Sequence, residues 1–127
     1  MSIEWVSLAR TDAPKQDIRV SISNNGVDII VAFKFGFWAS KLARSTKIAV
    51  GFDTNGGVPI AMYFAPSSSG YAVRNARGNS TPSVRISVGK VSSLYPRLKV
   101  SELQGEYVAK YDETNKCYFI SLGAKSY

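Results

Sequence analysis

Two aspartates, one cysteine and one glycine-rich turn are the features of this chain whose residue types and spacing could do chemistry. Asp53 and Asp112 each follow an aromatic residue and each precede a turn, Thr54-Asn55-Gly56-Gly57 in one case and Glu113-Thr114-Asn115-Lys116 in the other. A carboxylate pair can perform general acid and base work. Aspartate is also favoured just before turns, where its side chain hydrogen-bonds nearby backbone amides, and that structural reading is the stronger one here. Gly51 to Gly57 superficially resembles a phosphate loop, but it lacks the Gly-Lys-Ser/Thr ending and joins two strand-like runs instead of feeding a helix. Cys117 is the only cysteine and there is no histidine, so no Ser-His or Cys-His nucleophile pair, intramolecular disulfide or Cys/His zinc site can be assembled within one chain. The chain therefore reads as a binding protein and not an enzyme, with no cofactor expected.

Cationic residues carry the second kind of chemistry. The formal charge is +7, from 16 Lys and Arg against 9 Asp and Glu. No carboxylate occurs between Asp53 and Glu102, an interval that holds Arg74, Arg77, Arg85, Lys90, Arg97 and Lys99. Arginine rarely enters a core unpaired, so these side chains are expected to face solvent or an anion. With Arg19 and Lys34, which flank the first hairpin, the candidate nucleic-acid-binding set is Arg19, Lys34, Arg74, Arg77, Arg85, Lys90 and Arg97. Tyrosines interleave with basic residues at Tyr71-Arg74, Tyr95-Arg97 and Tyr107-Lys110, a mixture that could stack bases while neutralising phosphates. The plainer expectation for these aromatics is core and cross-strand packing.

The elements that must position these residues form a repeat. Val27-Asp28-Ile29-Ile30-Val31 resembles Val84-Arg85-Ile86-Ser87-Val88, and Lys47 to Asp53 resembles Glu106 to Asp112. Each turn leads to an alternating strand, with Val58, Ile60 and Met62 in the first copy and Tyr118, Ile120 and Leu122 in the second. Asn-Gly between alternating apolar runs is a strong hairpin signal, seen at Asn24-Asn25-Gly26 and again at Asn55-Gly56. Between the hairpins of each copy lies a short amphipathic piece, Phe37 to Arg44 in the first and roughly Ser92 to Leu98 in the second. Pro96 argues against a regular helix interior there. The expected architecture is mainly β, two strand-strand-helix-strand-strand repeats over residues 18–64 and 71–122, joined by an exposed Ser-rich linker at 65–70. Residues 1–17 fall outside the repeat, and Ile3, Trp5, Val6 and Leu8 could supply an extra strand.

At 127 residues and 45% hydrophobic content, the chain is sized for one domain spanning 1–127 that buries a core without metals or disulfides. Its longest apolar run, Ile29 to Phe33, is far short of the roughly 20 residues a membrane span needs, and the N-terminus lacks signal-peptide order. A cytoplasmic location is expected.

The run Ile18 to Tyr63 is similar to the swapped-hairpin barrel family of AbrB and MazE, bacterial transcription regulators and antitoxins. A hairpin with a glycine-containing turn is followed by a short helix, a β-branched strand ending in Asp53, a tight turn and a closing strand. In the second copy, Leu98-Lys99-Val100 followed by Leu103-Gln104-Gly105-Glu106-Tyr107 resembles the family's stretch before its third strand. The family's usual proline and Leu-Arg have no counterpart in Phe35 to Arg44, where Phe35, Phe37 and Trp38 are aromatic instead. Since the family normally builds its barrel from two chains, the resemblance implies a single-chain pseudo-dimeric barrel and a DNA-binding regulator. Three functions remain open: a duplex-DNA binder, a protein-interaction or assembly module docking a partner through Phe35, Phe37 and Trp38, and a single-strand binder. The chain is expected to be a monomer or a homodimer.

Overall fold

The computed structural model describes residues 18–34, 42, 47–74 and 81–123. The expected extra strand in residues 1–17, the aromatic piece Phe35, Phe37 and Trp38, and Arg77 lie outside the described residues. In chain order the strands are β1 (Arg19–Asn24), β2 (Asp28–Lys34), β3 (Lys47–Asn55), β4 (Val58–Pro66), β5 (Tyr71–Ala72), β6 (Ser83–Ser87), β7 (Gly105–Val108), β8 (Lys110–Asp112) and β9 (Cys117–Ser121). Helix α1 (Val88–Leu94) and a 3₁₀ turn (Val100–Leu103) lie between β6 and β7.

The fold is mainly β, as the alternating patterns imply. Among the described residues the strands form two sheets and no closed barrel: a four-stranded sheet in the order β6-β2-β1-β7 and a five-stranded sheet in the order β5-β3-β4-β9-β8. Each sheet draws strands from both the 18–64 and the 71–122 segments. The β1–β2 hairpin turns where Asn24 and Asn25 accept backbone N–H bonds from Gly26, Val27 and Asp28 at 2.7–2.9 Å. The β3–β4 hairpin turns at Gly56 and Gly57, whose φ values of 62° and 81° favour glycine.

The second segment departs from its expected layout in three ways. Tyr71 and Ala72 pair with β3, and only Arg74 makes a single bridge to Ser83 of β6. The stretch Glu106 to Asp112 is broken at Ala109, so that β7 joins the first sheet on β1 while β8 joins the second on β9. The helix is Val88–Leu94, upstream of the expected 92–98, because the Ser87 hydroxyl caps its N-terminus by accepting from Lys90 N–H and Pro96 follows just beyond its end. The β3–β4 hairpin carries a bulge at Asp53/Thr54.

The joint between the segments is narrower than 65–70, because β4 runs through Pro66 and the turn occupies Ser67–Gly70. Gly70 presses on β3 so closely that a Cβ would run into the Ile48 carbonyl and lie 2.6 Å from the Ala49 nitrogen.

The core lies between the sheets. Val20, Ile22, Ile29, Val31, Phe33, Val84, Ile86 and Tyr107 face inward from the first sheet, and Ile48, Met62, Phe64 and Ile120 from the second. Phe33 and Phe64 meet edge to face across the interface with centroids 5.2 Å apart. The tyrosines follow the packing reading: Tyr107 is 1% exposed, and Tyr71 and Tyr95 are half-buried against the core. Cys117 is buried on β9, as expected of a packed thiol.

Candidate nucleic-acid interface

Period-2 alternation decides where the cations go. Since Val20, Ile22, Ile29, Val31, Phe33, Val84, Ile86 and Tyr107 point into the core, the intervening residues of the first sheet point outward. The outer face thus carries Arg19, Ser21 and Ser23 from β1, Asp28, Ile30, Ala32 and Lys34 from β2, Arg85 and Ser87 from β6, and Glu106 and Val108 from β7, while Ser83, at the outward position before Arg85, is itself buried. Ser21, Ser23 and Ala32 occupy the middle of the face beside Ile30, and the long charged side chains lie near its margins.

Register brings four of the seven candidate residues onto this face. Arg19 stands directly opposite Lys34 on β1 and β2. Arg85 stands opposite Ile30, four residues along β2 from Lys34, which is about 13 Å at roughly 3.3 Å per residue. Arg74 is bridged to Ser83, which itself opposes Ala32, so Arg74 extends the same transverse row of outward residues beyond the β6 edge. Arg74 and Arg85 are exposed, and Arg19 and Lys34 half-buried.

Two acids share the face. Glu106 pairs with Lys34 at 3.9 Å, both side chains about one-third exposed, and this is the only ion pair among the described residues. Asp28 lies on β2 at the turn end of the hairpin. Arg19, Arg74 and Arg85 thus have no carboxylate partner among the described residues, which leaves their guanidinium groups available to an anion.

Lys90 and Arg97 stand elsewhere. Lys90 is on α1, at the rim of a cavity of about 210 Å³ between the helix and β3. Arg97 reaches the β3–β4 turn, its Nη1 donating to the Gly56 carbonyl at 3.5 Å, beside Lys99 and Glu102 at a groove of about 400 Å³. Spacing along the chain could not separate these two from the sheet-borne cations, because α1 interrupts the strand alternation.

The aspartates do not converge into a catalytic pair. Asp112 holds its own turn: one carboxylate oxygen accepts from the Thr114 and Asn115 backbone amides at 2.9 and 3.2 Å, and the other from the Asn115 side-chain amide at 2.8 Å. The Asn115 hydrogen bonds, side chain first, lower its pKa below the ordinary carboxylate value. Tyr63 and Phe119 stack between the two hairpins on the second sheet with centroids 5.4 Å apart. Partial desolvation, and then the negative charges of Asp53 and Asp112, raise the Tyr63 pKa. No cluster of three or more His, Cys, Asp or Glu suited to a metal occurs among the described residues, and none of their helices is long and apolar enough to cross a membrane.

No family model, curated protein or solved structure matches this chain.

Proposed function

We propose that this is a cytoplasmic nucleic-acid-binding protein, a DNA-binding regulator of the AbrB-like type, that holds duplex DNA against the outer face of its first sheet. The observation that carries the reading is the placement of Arg19, Lys34, Arg74 and Arg85 on one face, where two acids stand, Glu106 paired to Lys34 and Asp28 unpaired, and three guanidinium groups have no carboxylate partner among the described residues. Small residues in the middle of the face let a phosphate backbone approach while the arginines at its margins reach toward it. Lys90 and Arg97 contribute long-range attraction and not contacts.

The same proposal treats the two segments as diverged copies of one unit in a pseudo-dimeric barrel. Its support is reciprocity of pairing: β2 lies beside its counterpart β6, β4 beside its counterpart β9, and β1 beside β7 as β5 lies beside β3. Closure would run through the two places where the chain passes between sheets, Ala109 and the Arg74–Ser83 bridge.

The test is a salt titration of binding to a labelled mixed-sequence duplex and to the matching single strand. Three phosphate contacts, from Arg19, Arg74 and Arg85, give a slope of log K against log salt near about −3 on the duplex. Absence of binding at low salt would overturn the reading, and preference for the unpaired strand would overturn its duplex form.

A further inference from the structure

Beyond Ile48, one edge of β3 has no strand partner among the described residues, and it lies beside a cavity. The Lys47 carbonyl accepts from Ser67 N–H on the β4 side at 3.1 Å. In an antiparallel ladder alternate residues aim their backbone groups at opposite edges, so Ile48, Val50 and Phe52 present theirs on the other side. Ile48 is matched there by Tyr71 of β5. The chain then turns away at Gly70, and among the described residues no strand pairs with β3 beyond Ile48 on this edge. The N–H and C=O groups of Val50 and Phe52 thus have no ladder partner among the described residues, over a short length ended by the bulge at Asp53/Thr54.

The cavity of about 210 Å³ opens onto this length and is lined by Val50, Phe52 and Tyr71 from the sheet and by Lys90, Leu94 and Tyr95 from α1 and its end. Phe52 and Tyr95 meet edge to face at 5.2 Å, so the wall is aromatic and fixed in shape. Leu94 is 61% exposed at the rim, an apolar side chain with no core to serve. Lys90, exposed on α1, is the only charged residue of the lining.

We propose that this edge and cavity are a docking site for an extended peptide segment of another protein, which adds a strand to β3, inserts one aromatic side chain between α1 and the sheet, and sets a carboxylate against Lys90. Backbone bonds to Val50 and Phe52 supply sequence-independent hold, and the cavity and Lys90 supply selectivity. The site is separate from the cationic face, so a bound partner leaves Arg19, Arg74 and Arg85 free.

The probe is an acetylated, amidated peptide Glu-Val-Phe-Val-Glu added to isotopically labelled full-length protein, with amide spectra and hydrogen exchange as readouts. In the free protein the Val50 and Phe52 amides exchange quickly while Gly51, which faces β4, is protected. Saturating peptide slows Val50 and Phe52 by at least about tenfold and shifts resonances confined to β3, Tyr71 and α1. A backbone N-methylated copy of the peptide does not bind, and Leu94→Lys or Lys90→Glu, both surface changes, each weaken binding by about fivefold or more. The proposal is overturned if the peptide produces no shift at millimolar concentration, if the N-methylated copy binds equally well, or if the shifts fall elsewhere. Protection of Val50 and Phe52 that rises with protein concentration alone would assign the edge to a second copy and overturn the peptide reading.

Discussion

The Tyr107 hydroxyl, buried beneath the first sheet, donates a 2.6 Å hydrogen bond to the Leu103 carbonyl. It ties β7 to the 3₁₀ turn that precedes it. Tyr107→Phe removes the donor and leaves a carbonyl in an apolar setting, which costs about 1–2 kcal/mol in urea denaturation. Burial also pushes the Tyr107 phenol up to about 12. The neutral form is thus favoured by folding, and the sign follows: its stabilisation is fully present below the unfolded value near 10 and is lost as pH rises from there through about 12. Denaturation curves collected upward from pH 9 should show this decline in the native protein and a shallower one in Tyr107→Phe.

Gly70 and Gly51 form an internal control. Gly70→Ala drives a methyl into the β3 backbone and is expected to destabilise by about 2 kcal/mol or more in thermal melts. Gly51→Ala meets nothing within 4 Å and should change stability by less than about 0.5 kcal/mol.

For DNA binding, position on the sheet decides which arginines matter. Arg74→Ala and Arg85→Ala should each weaken duplex binding several-fold and flatten the salt slope by about one unit, because each removes one phosphate contact. Arg97→Ala, away from the face, should leave the slope unchanged. Equal effects from all three would show that only net charge matters and that the face has no role.

Glu106 opposes the proposed ligand. Glu106→Gln releases Lys34 from its 3.9 Å pair and removes a repulsive charge, so duplex affinity should rise several-fold. Stability should move by less than about 0.5 kcal/mol, since the pair is long at 3.9 Å and partly open to solvent.

Asp112 supplies an acid-side prediction. Its carboxylate is held ionised by the Asn115 bonds, so its stabilising effect is present above the ordinary carboxylate value and lost as pH falls through its lowered one. Asp112→Ala should lower the melting temperature at pH 7 and should lose less of its stability than the parent protein on acidification to pH 3.

Local features of the fold were legible in the chain and distant ones were not. Asn24-Asn25-Gly26 and Asn55-Gly56-Gly57 announce their hairpins because left-handed backbone conformations select such residues, and the alternation of Val20, Ile22, Ile29 and Val31 marks the buried face. Nothing in the stretch Glu106 to Asp112 reports that Ala109 passes the chain from one sheet to the other, since both halves alternate in the same way. Val88 continues a β-branched run and reads as strand, yet Ser87 caps a helix there. The cationic site was half legible: composition identifies the arginines, but only strand register separates Arg19, Lys34, Arg74 and Arg85 from Lys90 and Arg97.

The seat of β9 has a consequence for how the protein is made. It lies between β4 and β8, inside the second sheet and not at its margin, although it is the last strand described. A growing chain on the ribosome must therefore carry β4 with one side uncovered until β9, through Ser121, has emerged. Over that interval the apolar strand Val58–Pro66 is open to intermolecular pairing, so yield during expression should respond more to substitutions in β9 than to equally disruptive ones in β1.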